Sequence, residues 1–338
     1  MKYVTIMDIA HALGVSKSTV SRALAGDVQN VKPETMELIC ETARRMGYRR
    51  NEAAVNLRRQ HSKTIGIVIP EVVTSFFMNF IQFAQHDLRQ KGYRTIIAVS
   101  NEDITQEREC LDMLVQCRVD GILMSVCHRA ANASLYQDLM SRGIPMVFFD
   151  RRVDGVEASQ VHIDDASASV YMVEKLIRSG CRKIVHLLGP EHIGNATDRL
   201  HGYREVLEKF KLPYNPQYVV SCGLSAEEGA QAMERFVRSG LEFDAVFGFT
   251  ETAVLGAKSV LQKMHYRIPE DVSLCCISGT ALCTLVHPTL SAVEQPTGEM
   301  ADTACRLLLE QMEQPEHFKP QTVVLSGEVV MRESTKTM

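Results

Sequence analysis

From Lys63 onward, short apolar runs alternate with amphipathic helical segments, and no other feature limits the possible folds as strongly. The runs are rich in Val and Ile, as in Ile65–Pro70 and Gly121–Val126, and segments with helical spacing such as Phe76–Lys91 follow them. This alternation is typical of parallel sheets that helices cover on both faces. Two series of this kind, separated near residues 155–163, predict two similar doubly wound, parallel-sheet α/β subdomains with a cleft between them.

The first 60 residues, by contrast, contain only helical signals. Thr5 begins a capping box ahead of an apolar series, and Gly14 is placed to end that helix. Ser16 is placed to cap a second helix, and Pro33 suits the first turn of a third. The pattern predicts an all-α head that a short helix-compatible hinge, residues 51–60, joins to the α/β body.

The charge of the chain is separated by sign. Residues 1–60 contain ten Lys/Arg and six Asp/Glu, so the head carries a net charge of +4. The whole chain carries −4, so the remaining residues carry −8. A basic head on an acidic body indicates that the head binds a polyanion and that the body does not.

The start of the second predicted helix matches the DNA-reading helix of a helix-turn-helix. Small polar and basic side chains can reach base edges there, while apolar residues behind them hold the helix pair together. We expect Lys17 and Ser18 to enter the major groove and Arg22 to contact a guanine. The alternative is a generic three-helix domain with a solvated basic face. The predicted phosphate contacts are Thr5, Ser16, Thr19, Ser21 and Asn30.

Several segments carry a family pattern. Near the N-terminus they are Thr5–Gly26 (TIMDIAHALGVSKSTVSRALAG), Arg44–Tyr48 (RRMGY) and Lys63–Pro70 (KTIGIVIP), and in the body they include Phe149–Arg151 and Pro269–Ser273. Together these segments resemble the LacI/GalR family of bacterial transcription regulators over essentially the whole chain.

The resemblance implies a repressor that binds a near-palindromic operator as a homodimer. It also implies a periplasmic-binding-protein-like body that a small metabolite, sugar or sugar-derived, switches. The expected domains are the head at 1–50, a hinge helix and linker at 51–62, and an effector-binding and dimerisation body at 63–338. Within the body, the expected subdomains are 63–162 with 293–322, and 163–292 with 323–338.

The hinge also has counterparts in the family, where a leucine from each subunit wedges into the central minor-groove step of the operator. The matching DNA-contacting residues here are Asn51, Leu57 and Arg58. Leu57 could instead belong to a dimer core. The family usually has a proline before the hinge asparagine and an arginine four residues after it, where this chain has Arg50 and Val55.

The resemblance further places effector contacts at strand ends that face the cleft. Arg199 would bind ligand hydroxyls or a carboxylate, although a structural ion pair is the alternative. Asp150 would face the ligand, although Arg151 could simply pair with it. Phe76 and Phe77 would form an apolar wall or belong to the core. The full predicted set is Phe76, Phe77, Met78, Asn101, Asp150, Asn195, Arg199, Thr250, Ser278 and Gln295.

One departure from the family bears on the ligand. The family usually has Gly-Phe-Asp-Asp where this chain has Cys276–Gly279, so an acid that binds sugar hydroxyls is missing. Thr250 and Glu251 also replace the usual Asn-Asp. Because Arg199 remains and repulsion from the carboxylate is removed, we expect an acidic or phosphorylated sugar-type effector.

Two other classes of protein fit less well. An enzyme is disfavoured because HExxH, GxSxG and P-loop motifs are absent from the sequence and the 11 histidines lack metal-ligand spacing, so neither a cofactor nor a metal is expected. A solute-binding protein would match the body but would leave the head unexplained.

The remaining expectations concern location and assembly. Asp8 and His11 interrupt any secretory signal, and about 18 consecutive apolar residues occur nowhere, so we expect a cytoplasmic protein without a membrane span. The ten scattered cysteines are interpreted as reduced, buried thiols. A dimer is favoured over a tetramer because Met331–Met338 contains no leucine heptad.

Overall fold

The computed structural model describes residues 4–48 and 61–337. The chain forms two compact units that divide between Ser62 and Lys63. The predictions for the hinge fall outside the described residues; they concern Arg50, Asn51, Val55, Leu57 and Arg58.

The head is a three-helix unit. Its helices are α1 (Ile6–Leu13), α2 (Lys17–Leu24) and α3 (Pro33–Arg45). Thr5 forms the predicted capping box with Asp8, and Gly14 ends α1 with a φ of 62°. The predicted starts at Ser16 and Pro33 are also confirmed. Because each of these signals acts within one turn of its helix, the sequence alone was sufficient to find them.

The apolar faces of the three helices meet in one small core. Ile9 from α1, Val20 from α2 and Ile39 from α3 are fully buried there. This packing fixes α2 against its neighbours and leaves the opposite side of that helix in solvent.

The first lobe of the body is built on a six-stranded parallel sheet, in the order β11-β5-β4-β3-β1-β2. Its strands are β1 (Thr64–Ile69), β2 (Arg94–Val99), β3 (Gly121–Met124), β4 (Met146–Phe149), β5 (Ser159–Ile163) and β11 (Thr322–Leu325). Its helices are α4 (Ser75–Gln90), α5 (Ile104–Gln116), α6 (Ala133–Ser141) and α12 (Thr297–Glu313). We call this part lobe 1.

Lobe 2 repeats the arrangement with a second six-stranded sheet, in the order β12-β10-β9-β8-β6-β7. Its strands are β6 (Ile184–Leu188), β7 (Val219–Ser221), β8 (Ala245–Gly248), β9 (Ser273–Gly279), β10 (Ser291–Glu294) and β12 (Glu328–Val330). Its helices are α7 (Asp165–Arg178), α8 (Gly194–Lys209), α9 (Ala226–Arg238), α10 (Glu251–Lys263) and α11 (Leu282–Leu285), with a 3₁₀ turn at Pro216–Tyr218. The predicted fold of a helical head and two doubly wound lobes is confirmed.

The structure refines three details of that prediction. The expected gap near 155–163 contains β5, and β12 pairs antiparallel with β10, so the second sheet is not wholly parallel. The chain leaves lobe 2 after Glu294 and returns to it after Leu325, whereas the sequence placed these crossings after 292 and 322. The differences arise because β10 and β11 each run past the predicted crossing before the chain changes sheets.

Within the described ranges, no helix combines the length and the apolar character that crossing a membrane requires.

Candidate functional site

The candidate DNA-reading surface is the solvent side of α2. Lys17, Ser18 and Arg22 are exposed on it, and Val20 and Ala23 are buried on the opposite side. This arrangement presents two cations and a hydroxyl on a rigid helix near its N-terminus, which is the geometry that major-groove reading needs.

The predicted phosphate contacts differ in how they are held. The Ser16 hydroxyl caps α2 through the Thr19 amide at 3.1 Å, and the Thr5 hydroxyl donates to Asp8 at 2.8 Å. The Asn30 amide donates to the Asp27 carboxylate at 2.9 Å and 3.0 Å. Ser21 and Thr19 are half-buried. Thr5, Ser16 and Asn30 are thus positioned by local hydrogen bonds before any ligand arrives.

The second candidate site is a cleft between the two lobes of the body, at the carboxyl ends of strands from both sheets. Seven predicted effector residues line it: Phe76, Phe77, Asp150, Asn195, Arg199, Thr250 and Ser278. The cavity volume is about 30 Å³, far below the ~300–1,000 Å³ of pockets that enclose small ligands. The lobes are therefore closed on each other, and a sugar-sized ligand requires them to separate.

Arg199 is the most constrained side chain of the cleft. It is 2% exposed, its Nε donates to Asp165 Oδ1 at 2.7 Å, and its Nη1 donates to the Phe249 carbonyl. Its guanidinium also lies 4.4 Å from the centre of the Phe249 ring. The structural ion pair that the sequence left open does exist. Two of the five N–H donors are used in these bonds, so Arg199 retains donors for a ligand.

Asp150 follows β4 and adopts a φ of 61°, in the left-handed region that asparagine and aspartate tolerate best. Burial, opposed by Arg151, raises the pKa of its carboxyl to about 7. The alternative of a simple Arg151 pair is weak, because Arg151 Nε lies 3.9 Å from Asp150, while the guanidinium donates to both Glu102 oxygens at 2.6 and 2.8 Å. A buried carboxyl with a raised pKa and a left-handed backbone, at the wall of a cleft, is characteristic of a functional position.

Two further carboxylates lie in the cleft wall. Glu71 accepts hydrogen bonds from the Val73 and Thr74 amides, and Glu251 accepts from the Thr280 amide at 2.8 Å and hydroxyl at 2.7 Å. Both are buried. Glu251 thus brings an acid back to the region where the sequence showed one missing.

The balance of charge in the cleft follows from these contacts. Arg199 pairs with Asp165, and Arg151 pairs with Glu102 and, at 3.9 Å, with Asp150. With the buried Glu71 and Glu251, five carboxyls are thus set against two guanidinium groups. This corrects the argument for an acidic effector, because carboxylate repulsion has not been removed from the site.

The three other predicted effector residues lie elsewhere. Met78 is 51% exposed on an outer groove of α4, because it is out of phase with the inward positions of Phe76 and Phe77. Asn101 turns into the left-handed region and its amide donates to Gln106 at 2.9 Å. Gln295 lies behind the wall and donates to the Ser278 hydroxyl at 2.6 Å.

Sequence reasoning missed seven lining residues: Glu71, Thr74, Arg151, Ile193, Leu224, Phe249 and Glu251. Some of these residues could have been identified because they directly follow the carboxyl end of a strand. Glu71, Arg151 and Phe249 follow the ends of β1, β4 and β8, where parallel strands open into a ligand crevice. Leu224 and Ile193 come from loops whose course the sequence does not show.

The residues considered for chemistry lie in the core. His186 is fully buried between the Tyr203 and Phe247 rings, and burial lowers its pKa to about 4. Cys275 and Cys276 are fully buried in β9, where burial raises the pKa of both thiols. Cys40, Cys110 and Cys117 are at least partly exposed, which differs from the expectation of buried thiols throughout. Among the described residues, no cluster of His, Cys, Asp and Glu could hold a metal ion.

Comparison with known families agrees with this division of the chain. The family model described as "Bacterial regulatory proteins, lacI family" matches residues 5–51, and that described as "Periplasmic binding protein-like domain" matches residues 173–335. The chain is thus a transcription regulator with a DNA-binding head and a ligand-binding type of body, and it is not an enzyme. Its head is a lacI-family DNA-binding domain, and its body contains a periplasmic-binding-protein-like domain.

Similar proteins extend over nearly the full length. The HTH-type transcriptional repressor CytR of Escherichia coli is 28% identical over 335 residues, covering 99% of this chain and 97% of the relative. The ribose operon repressor of Halalkalibacterium halodurans is 27% identical over 332 residues, covering 98% and 97%. Catabolite control protein A of Priestia megaterium is 28% identical over 334 residues, covering 98% and 99%.

Solved structures show the same architecture. A complex of the transcriptional regulator CelR with cellobiose has a TM-score of 0.73 and 28% identity, covering 98% of this chain and 99% of that one. The lac repressor dimer bound to operator and the anti-inducer ONPF has a TM-score of 0.86, with coverage of 99% and 100%; its 20% identity makes this a likeness of fold.

Proposed function

We propose that this regulator is a cytoplasmic repressor that binds a near-palindromic operator as a homodimer and is switched by a sugar-type metabolite in the cleft. The supporting observation is the coexistence of an exposed Lys17, Ser18, Arg22 row on a packed helix with a closed polar cleft in the body. A solute-binding role would leave that row without a purpose. The proposed domains are the head at 1–50, the hinge and linker at 51–62, and the body at 63–338.

For DNA, we assign direct base contacts to Lys17, Ser18 and Arg22. Phosphate contacts are assigned to Thr5, Ser16, Thr19, Ser21 and Asn30, and hinge contacts to Asn51, Leu57 and Arg58. Positioning contacts of this kind raise the affinity for every sequence, whereas base contacts raise it only for the correct one.

A homodimer is supported by an uncovered apolar groove on lobe 1. Met78 and Phe83 are 51% and 46% exposed along α4, and Ile97 on the neighbouring edge strand β2 is 42% exposed. Large apolar side chains that share one exposed face mark a protein interface, and a second copy of this chain would cover them.

Replacing Arg22 with alanine is expected to weaken binding to the preferred operator by about 5- to 150-fold, through the loss of a bidentate base contact. Binding to a scrambled duplex should change little. Arg58→Ala, the matched control, should weaken both duplexes by a similar factor, because a phosphate contact is independent of sequence. Fluorescence anisotropy at fixed salt measures both ratios, and equal losses of sequence preference in the two variants would refute these roles.

The effector is proposed to be a neutral sugar or sugar derivative. A phosphate group would enter a cleft in which buried carboxyls outnumber the guanidinium groups, and both Arg151 and Arg199 already have carboxylate partners. A neutral sugar that binds should therefore do so at least about tenfold more tightly than its own phosphate ester at pH 8. Calorimetry on matched pairs, for example D-ribose and its 5-phosphate, measures this ratio. Tighter binding of the phosphate esters would restore the acidic effector predicted from the sequence.

A further inference from the structure

Charged side chains join the two lobes beside the cleft. Asp198 lies on α8, directly before Arg199, and its Oδ2 is 2.7 Å from Arg152 Nη2 while its Oδ1 is 3.7 Å from Arg129 Nη1. Arg129 and Arg152 lie on the loops that follow β3 and β4 in lobe 1. A single carboxylate of lobe 2 thus contacts two guanidinium groups of lobe 1, and Arg129 also pairs with Asp154 of its own lobe at 2.8 Å.

A second contact joins the lobes at the turn that follows β2. Glu102 of lobe 1 lies 3.7 Å from His192 Nε2 of lobe 2, and it also binds the guanidinium of Arg151. Arg151 lines the cleft, so this contact connects the edge of the cleft with its wall. We call Asp198, Arg129, Arg152, Glu102 and His192 the ionic latch.

The contacts of the ionic latch require the lobes to be closed, and they do not require a ligand. None of the five lines the cavity, and each contact between the lobes links a loop of lobe 1 with a segment of lobe 2. A ligand much larger than the 30 Å³ cavity can enter only when the lobes separate, and separation breaks these pairs. The latch therefore stabilises one of the two arrangements between which an effector selects.

The ion pairs are partly exposed, and this exposure limits how much free energy they contribute to the closed arrangement. Asp198 is 23% exposed, and Arg129 and Arg152 are 27% and 41% exposed. Pairs of this kind are weak and sensitive to salt. They are suited to adjusting an equilibrium between two arrangements and not to locking one of them.

We propose that the ionic latch holds the effector cleft closed and sets the fraction of protein that is open, without contacting the effector. This inference rests on the proposed effector-switched function. It adds Asp198 as a positioning residue, which acts through the relative placement of the two lobes.

The test is a distance measurement on the full-length protein without ligand or DNA. Spin labels carried by non-natural amino acids at Ala131 and Glu191, exposed positions next to Arg129 and His192, leave the native cysteines untouched. In pulsed electron resonance, Asp198→Asn should raise the ratio of the longer to the shorter distance population by about two- to fivefold. The double variant Arg129→Gln/Arg152→Gln removes the lobe 1 partners of Asp198 and should give the same increase.

Controls separate the charge from the shape of the side chain. Asp198→Glu keeps the charge and should restore the wild-type distribution. Asp138→Asn removes an exposed ion pair with Arg142 inside lobe 1 and should leave the distribution unchanged. High salt should move the wild type toward Asp198→Asn.

An unchanged distribution in Asp198→Asn would overturn the latch, as would an equal shift in Asp138→Asn. Because neither DNA nor effector is used, failure of the latch leaves the assignment as an operator-binding repressor to be decided by DNA binding alone.

Discussion

Replacing Arg199 with alanine is expected to lower the free energy of unfolding of the body by about 3–5 kcal/mol. Arg199 is almost completely buried, and its loss leaves the buried Asp165 carboxylate without its cation and the Phe249 carbonyl without its donor. Burial raises the pKa of Asp165, and the Arg199 guanidinium opposes this shift through its charge and its hydrogen bond. Urea unfolding followed by circular dichroism measures the loss.

Arg204 on the same helix is a matched control for the Arg199 variant. Its guanidinium also lies over an aromatic ring, 4.6 Å from the centre of Tyr214, but the residue is exposed. We expect Arg204→Ala to cost less than about 1 kcal/mol. Adding Asp165→Asn to Arg199→Ala should recover part of the stability, because the unpaired charge is then removed. A similar small loss in both single variants would contradict the buried pair.

Asp150→Asn is expected to stabilise the protein by about 4 kcal/mol above pH 7 and to have little effect below pH 4. The folded pKa is raised from 3.8 to about 7, so between these values the folded state binds more protons than the unfolded state. The stability of the wild type therefore falls as the pH rises from about 4 to about 7 and then becomes level. Asparagine tolerates the left-handed backbone at this position, so the variant removes the charge without adding strain.

Chemical unfolding of the wild type and Asp150→Asn across pH 4–8 measures the difference. Asp138→Asn again serves as the control, because Asp138 is 59% exposed and its replacement should not alter the pH profile. If the free energy of unfolding changes with pH in the same way in the wild type and in Asp150→Asn, the raised pKa of the Asp150 carboxyl is contradicted. A stability cost at a cleft carboxyl is expected where binding, rather than folding, retains the residue.

The parts of the structure that could be predicted depend on local signals. The Thr5 capping box, the Gly14 helix end and the strand–helix alternation each act over a few residues, and all of them could be read from the sequence. The cleft was predicted through strand ends and resemblance. Asp150 was found because it follows β4, and Arg199 was found by resemblance. Met78 lies outside the cleft because it is on a different face of α4 from Phe76 and Phe77.

Other parts depend on loop geometry that no short pattern encodes. Ser278 is a bulged residue with a φ of 63°, because β9 and β10 shift register between Ile277 and Gly279. Glu251 is held in the cleft wall by hydrogen bonds from the loop at Thr280, which lies 29 residues further along the chain. The latch pairs join residues that are distant in sequence, so Asp198 carried no signal of its own.

The most direct test of an operator-binding regulator is selection of DNA by the full-length wild-type protein from a pool of random duplexes, followed by sequencing. An enriched inverted repeat is predicted, with half-sites in adjacent major grooves and a pyrimidine–purine step at its centre, because such steps kink most easily. The same protein should bind the recovered duplex with an affinity that falls steeply as salt is raised. Enrichment of no sequence, or of a single unrepeated half-site, would contradict a dimeric DNA-reading head.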